Sequence, residues 1–243
     1  MRAEGPAIDL SIVAPVYNEL ESLDPLVQEL LETFAGGGLE YEIILVNDGS
    51  DDGSSEKIGQ LTAAHGAVRG LHFKSNCGQS AAIDAGLRAA RGSSIVTMDA
   101  DLQNDPADIP VLLSALGECD AAVGYRRRRM DSWVRRLSST IANGIRNLVS
   151  GDDIIDTGCS LKAFRRESLE GIKLFGGMHR FLPTLLRIEG RSVRQLPVNH
   201  RPRRFGRSKY GIRNRLFSSF HDLLAVRWMT RRRLGYEVER HDP

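Results

Sequence analysis

Asp99 and Asp101 stand two residues apart, directly after the apolar run Ser94-Ile95-Val96-Thr97-Met98. That run is short, partly β-branched and bounded by turn residues, which predicts a buried parallel strand. In an open α/β sheet the ligand site lies outside the carboxyl ends of the strands. The two carboxylates therefore fall where chemistry is expected. Residues i and i+2 of an extended segment point the same way, so Asp99 and Asp101 suit one divalent cation. Mg²⁺ and Mn²⁺ prefer carboxylate oxygen and are commonly shared with substrate phosphates. Acidic residues after a strand also cap turns and helices, so the pair by itself leaves both readings open.

The elements that must position this pair repeat one pattern. Residues 8–16 form a first strand ending in Pro15-Val16-Tyr17-Asn18-Glu19. Leu23, Leu26, Val27, Leu30 and Leu31 then recur at helical spacing until Gly36-Gly37-Gly38. Residues 41–46 are a second strand, stopping at Asn47-Asp48-Gly49-Ser50-Asp51-Asp52-Gly53-Ser54, a turn that offers helix caps. A helix over 55–65, a strand over 68–73 and an Ala-rich helix over 79–90 lead to the aspartate strand. A helix over 106–116 and a strand over 119–123 follow. Strand and helix alternate through short links, which predicts a doubly wound, mostly parallel α/β sheet. No G-x-G-x-x-G follows the first strand and no G-x-x-x-x-G-K-[ST] occurs. Neither a dinucleotide-binding dehydrogenase nor a P-loop NTPase is supported. Acidic residues mark the strand ends, which favours a metal over a glycine cradle for a pyrophosphate.

The chain has 243 residues, 41% hydrophobic and 26% charged, as expected of one large globular domain or one domain with an appendage. Cys77, Cys119 and Cys159 are scattered without a C-x-x-C spacing, so neither a disulfide framework nor a zinc site is indicated. No apolar run reaches transmembrane length and no signal-peptide core precedes the first strand, so the cytoplasm is the expected compartment. The net charge of +2 conceals an asymmetry. Residues 1–123 hold 6 Lys and Arg against 20 Asp and Glu, a net of −14. Residues 124–243 hold 27 against 11, a net of +16, and are expected to meet phosphate, lipid headgroup or nucleic acid.

After Gly124 come four consecutive arginines, Arg126 to Arg129. Trp133, Leu137, Ile141, Ile145 and Leu148 then describe an amphipathic basic helix. Asp156-Thr157-Gly158-Cys159 is a turn into a strand, with a helix over 180–188 and a strand over 192–198 beyond it. His200 to Tyr210 is a basic loop. A second amphipathic basic helix covers 212–229, with Ile212, Leu216, Phe220, Leu223, Leu224 and Trp228 on its apolar side.

Four of these stretches, S-I-V-A-P-V-Y-N-E, V-N-D-G-S-D-D-G-S, M-D-A-D-L-Q and R-x-x-G-x-S-K-Y, occur in this order. Together they resemble the inverting glycosyltransferases of family two, with the GT-A fold. The nearest branch is the polyprenyl-phosphate, dolichol-phosphate mannose synthase-like sugar transferases. The resemblance runs over about residues 9 to 225. It implies that Pro15, Tyr17 and Glu19 line the base and ribose pocket of a nucleotide, and that Asp48 contacts its base or ribose. Asp99 and Asp101 become the D-x-D that holds Mg²⁺ or Mn²⁺ against the diphosphate, with Gln103 completing the metal's neighbourhood. Arg203 and Lys209 meet the phosphates of donor or acceptor, and Ser208 supports their loop. The role of Gln79 stays open, because relatives often carry a lysine-like residue there.

The implied division is a GT-A catalytic domain over 1–210, a basic helix over 211–233 and a tail over 234–243. Within the domain, 1–123 is the nucleotide-sugar and metal half and 124–210 the acceptor half. The implied partners are a UDP- or GDP-sugar, a polyprenyl phosphate, and an anionic membrane surface or a separate membrane protein. A homo-oligomer is left open. A polyprenyl phosphate is already anionic, so its transfer needs positioning and charge screening rather than a strong base. A hydroxyl acceptor needs a carboxylate base, for which Asp156 is the candidate. The two basic helices suit a peripheral position on the cytoplasmic membrane face, or else pack their apolar sides into the domain. No Q-x-x-R-W occurs, which argues against a polymerising synthase. Nucleic acid is not an expected partner, since the basic half has few aromatics among its charges and no nucleic-acid motif.

Overall fold

The computed structural model describes residues 8–126, 153–205 and 212–233, with side chains in the last segment described from 221 onward. Strand and helix alternate as β1 (Leu10–Val16), α1 (Leu20–Phe34), β2 (Tyr41–Asn47), α2 (Ser54–Ala64), β3 (Val68–His72), α3 (Gln79–Ala89) and β4 (Ser94–Thr97). A 3₁₀ turn, Pro106–Asp108, then leads into α4 (Ile109–Ala115). Next come β5 (Ala121–Arg126), β6 (Lys162–Arg165), α5 (Leu182–Ile188), β7 (Val193–Val198) and α6 (Ile212–Arg232). The helix expected over 106–116 is thus split. Pro110 sits in the first turn of α4, where its missing N–H removes no helical bond.

Among the described residues, the seven strands join one sheet in the order β3-β2-β1-β4-β6-β5-β7. Every pairing is parallel except those of β6, which is antiparallel to both β4 and β5. This insertion was not legible in the alternation of elements. It brings a strand of the basic half between the aspartate strand and β5, so the sheet runs through both halves of the chain. Strand β5 also extends to Arg126, beyond the expected end at 123. Arg126 is consequently a strand residue that reaches the carboxyl-end edge of the sheet.

The sheet is buried on both faces. Leu23, Leu26 and Leu30 of α1 pack against Ile12, Ile43 and Leu45 on one side. Ala82 of α3 meets Val13, Ile44 and Val46 on the other. Helix α3 lies so close that a Cβ on Gly86 would come within 2.2 Å of Val13. Helix α6 buries Leu223 and Val226 against Met178, Phe181 and Leu185. Leu224 and Trp228, expected on that same apolar side, are exposed at 44% and 64%. The apolar residues of this helix therefore serve two directions, one into the domain and one outward. The amphipathic helix expected over 133–150 lies outside the described residues.

One carboxylate belongs wholly to the scaffold. Glu42, near the start of β2, is buried. It accepts hydrogen bonds from Ser11 Oγ (2.7 Å), Arg69 Nη1 (2.5 Å), Arg91 Nε (2.9 Å) and Arg91 N (2.8 Å). Burial pushes its pKa up, but the bonds from Ser11, Arg91 and Arg69 outweigh it and hold the carboxyl at about 2. A group depressed in this way stabilises the fold above its ordinary value of 4.5 and loses that effect as pH falls toward 2. Glu42→Gln is expected to cost about 3 kcal/mol at pH 7. Urea unfolding at pH 7 and pH 3 checks this: the gap between variant and wild type narrows at the lower pH.

Candidate active site

Asp99 and Asp101 leave the end of β4 in a turn that the backbone does not adopt freely. Leu102 is held at φ 62°, a left-handed conformation that costs a leucine on the order of 1–2 kcal/mol. Its side chain is buried in the core, which offsets that cost and anchors the turn. Asp101 Oδ1 accepts the Gln103 amide at 3.1 Å and closes the turn from within. Asn104 Oδ1 accepts Ser160 Oγ at 2.7 Å, and Ser160 Oγ in turn accepts the Asp99 amide at 3.2 Å. Thr97 Oγ1 donates to the Ser160 carbonyl at 3.0 Å. The aspartate turn is thereby tied to the segment that enters β6.

The ends of β1 and β2 close the other side. Asn18, at φ 53°, exchanges side-chain bonds with Asp51, while Ser54 Oγ accepts the Glu19 amide and Asp52 accepts that of Leu20. Pro15, Tyr17, Glu19 and Asp48 face the same cleft as Asp99, Asp101, Gln103 and Arg203. This cleft is open to solvent and about 250 Å³ in volume. Arg126, Gly158, Ser160 and His200 line it as well. Eight of the residues singled out in the sequence thus meet in one place, although they come from four separate stretches. Lys209 and Ser208 lie outside the described residues, as do Arg127 to Arg129.

Several side chains hold contacts that their motifs did not reveal. Asp48 is buried, and its carboxylate accepts Cys77 N (2.7 Å), Gly78 N (2.9 Å) and Asn76 Nδ2 (3.0 Å). Those bonds fix the loop that starts α3. Gln79, first residue of that helix, donates to Asp99 Oδ1 at 2.8 Å. Gln103 turns its amide nitrogen toward His200 and the Arg201 carbonyl, 3.5 Å from each. Asp156, the candidate base for a hydroxyl acceptor, is buried and gripped by Arg126 through Nε–Oδ2 (2.6 Å) and Nη2–Oδ1 (2.8 Å). A carboxylate forked to a guanidinium in this way is a poor proton acceptor.

Cations answer the acidic edge. Arg203 donates to Asp101 Oδ2 at 2.7 Å and to Glu19 Oε1 at 3.1 Å. Lys162 of β6 is buried and donates to the Cys159 carbonyl. Burial pushes its ammonium below the ordinary lysine value, against the pull of the Asp99 and Asp156 charges. A lone lysine within Leu161-Lys162-Ala163-Phe164 was the available signal for it, since charges seldom sit in buried strands. Arg201 and Arg204 were equally unremarked within their basic loop, yet both reach Glu29 of α1. Part of the positive back half therefore meets the negative front half of its own chain, an anion the composition did not point to.

Asp99 opens onto the cleft but is enclosed by protein elsewhere. Desolvation first, and the Asp101 charge second, push its pKa up to about 6. Two hard oxygen ligands in a site that works against their joint negative charge fit a divalent cation. Among the described residues no cluster of three or more His, Cys, Asp or Glu is placed to hold a metal. Two carboxylates suit a cation that completes its coordination with water and substrate phosphates.

The sequence profile of Glycosyl transferase family 2 matches residues 11–173, a span from β1 through β6 that includes the aspartate turn. The chain belongs to that family. A curated member, dodecaprenyl-phosphate galacturonate synthase of Rhizobium johnstonii, is 38% identical over 231 residues, covering 93% of this chain and 68% of its own. Solved structures of glucosyl-3-phosphoglycerate synthase from Mycobacterium tuberculosis share the architecture. The complex with Mn²⁺, UDP and glucosyl-3-phosphoglycerate has a TM-score of 0.67 at 16% identity, covering 92% of this chain and 80% of that one. The complex with Mg²⁺ and UDP has a TM-score of 0.68 at 16% identity, covering 92% and 79%. The family-two enzyme described here is thus a glycosyltransferase with the GT-A fold.

The bonds around Asp48 give it a structural task that can be measured directly. Asp48→Ala removes the acceptors of two backbone amides, Cys77 N and Gly78 N, and is expected to lower stability by about 1–3 kcal/mol. Hydrogen exchange at Cys77 and Gly78 is expected to accelerate with it. Unchanged protection at both amides would show that the loop holds without the carboxylate.

Proposed function

We propose that this glycosyltransferase moves a sugar, with inversion, from a nucleoside diphosphate sugar to a polyprenyl phosphate. The observation that carries the acceptor is the Arg126–Asp156 fork. The one carboxylate expected to serve as a base is held by a guanidinium, so the site favours a nucleophile that is anionic without help. The relative from Rhizobium johnstonii is named for the same acceptor class, and its sequence likeness runs over nearly the whole chain.

In this reading the donor's nucleotide lies along Pro15, Tyr17 and Glu19, above the loop fixed by Asp48. Asp99 and Asp101, with Gln103 nearby, would hold Mg²⁺ or Mn²⁺, which would supply positive charge to the diphosphate. Gln79 orients Asp99 through its amide. Arg203 supplies fixed positive charge to the leaving diphosphate, and Lys209, six residues on in the sequence, is the second cation that the motif implies. Arg126 and His200 line the side from which the acceptor phosphate approaches. UDP, present in the solved fold neighbours, is the first donor nucleotide to try, and a hexuronate the first sugar, given the relative's name.

In this reading the enzyme works at the cytoplasmic membrane face, where a polyprenyl acceptor would present its phosphate. Among the described residues no helix is long and apolar enough to cross a bilayer. Helix α6 offers the outward pair Leu224 and Trp228 beside Arg231 and Arg232, a combination suited to an anionic headgroup layer. A separate membrane protein can take the same surface.

The test is a transfer assay with UDP-galacturonate, UDP-glucose and GDP-mannose, either metal, and a short polyprenyl phosphate. Transfer with one donor is expected, with Asp101→Asn and Arg203→Met each lowering kcat/KM by about 100-fold or more. Activity on a sugar hydroxyl with none on the lipid phosphate would overturn the acceptor.

A further inference from the structure

The loop that carries Arg203 is not held by Arg203 alone. Asn199 N donates to Asp108 Oδ2 at 2.6 Å, and Asn199 Nδ2 to Asp108 Oδ1 at 3.2 Å. His200 forms an isolated antiparallel bridge with Asn104, and Arg201 N donates to the Gln103 carbonyl at 2.9 Å. At the centre of this seam stands Arg201. Its Nη1 meets Glu29 Oε2 of α1 at 2.6 Å, and its Nη2 meets Asp105 Oδ1 at 2.7 Å. All three side chains are largely withdrawn from solvent, with Arg201 30%, Glu29 23% and Asp105 17% exposed. Arg201 does not line the cleft, whereas Arg203, two residues on, does.

We infer that Arg201 is a positioning residue for sugar transfer, one that sets where Arg203 stands. Its fork spans two elements that do not move with the loop: helix α1, packed into the core, and Asp105, which caps the 3₁₀ turn by accepting the Ala107 amide at 3.1 Å. A planar guanidinium with both ends engaged fixes orientation as well as distance, which an ammonium on a flexible stem cannot do. From Arg201 the chain passes only through Pro202, whose ring locks φ, before Arg203. The direction in which Arg203 leaves the seam is therefore set by the clamp. Arg203 then reaches Asp101 and Glu19 from one side, where the leaving diphosphate is expected. A charge that stabilises a transition state is effective only when held in place beforehand, and a shift of about 1 Å is enough to cost on the order of 100-fold.

The inference rests on the proposed role of Arg203, and the experiment separates the two. The probe is UDP with Mn²⁺, titrated calorimetrically into the full chain and into Arg201→Met, Arg203→Met and the double variant, with melting temperatures alongside. Each single variant is expected to weaken UDP binding about tenfold, and the double variant to be no weaker than Arg203→Met. Arg201→Lys is expected to recover little. Losses that multiply in the double variant overturn the inference, because Arg201 then acts without Arg203. So does wild-type UDP binding in Arg201→Met alongside weakened binding in Arg203→Met. If Arg203→Met binds UDP as wild type does, the role of Arg203 fails and the inference falls with it. Should Arg201→Met not fold, Glu29→Gln and Asp105→Asn break the same clamp from its carboxylate side. They are expected to show the same lack of additivity with Arg203→Met.

Discussion

Negative charge gathered at one edge of the sheet is the constraint on which the rest depends. Glu19, Asp48, Asp99 and Asp101 arrive there from the ends of β1, β2 and β4, and burial first, with the Asp101 charge second, pushes Asp99 up to about 6. Such a cluster is tolerable only where donors and cations meet it. Backbone amides answer Asp48, while Arg203 answers Asp101 and Glu19. The anionic donor and the divalent cation proposed for this site enter a place where each charge already has a partner.

The positive partners come from the other half of the chain, and the sheet is what delivers them. Strand β6 runs against its neighbours and fills the gap between β4 and β5. Its entry turn brings Ser160, and its first residue the Lys162 ammonium, beside the aspartate turn, while Asp156 pairs with Arg126. Beyond β7 the chain crosses back over the edge and is sewn down at Asn199, His200 and Arg201 before Arg203 reaches the cleft. Long-range bonds rather than local propensity hold this arrangement, so the working edge is rigid on both sides while remaining open to solvent.

Carboxylates at the two ends of the sheet illustrate opposite uses of burial. Glu42, near the start of β2, accepts four hydrogen bonds and is held at about 2, where it steadies the fold. Asp99, at the opposite edge, has fewer donors and a carboxylate neighbour, and its pKa moves the other way. The same residue class stabilises the scaffold where bonds outweigh desolvation and is poised for a ligand where they do not.

The sequence by itself determined the class of fold, the position of the aspartate turn and the family. Each is written in local pattern: apolar runs of strand length, helical spacing in α1, acidic turns after β1, β2 and β4, and four motifs in order. Eight of the anticipated residues share one cleft because strand ends of a parallel sheet must lie together. Only the tertiary structure decided the antiparallel placement of β6, since short strands carry no mark of their direction. It also decided that Asp156 is spent on Arg126, that Asp48 anchors the loop before α3, and that Arg201 clamps α1. Those are pairings between residues 28 to 172 positions apart. Charge composition counted the arginines of the back half but could not say which of them meet the chain's own carboxylates, because that depends on distances the folded backbone alone sets.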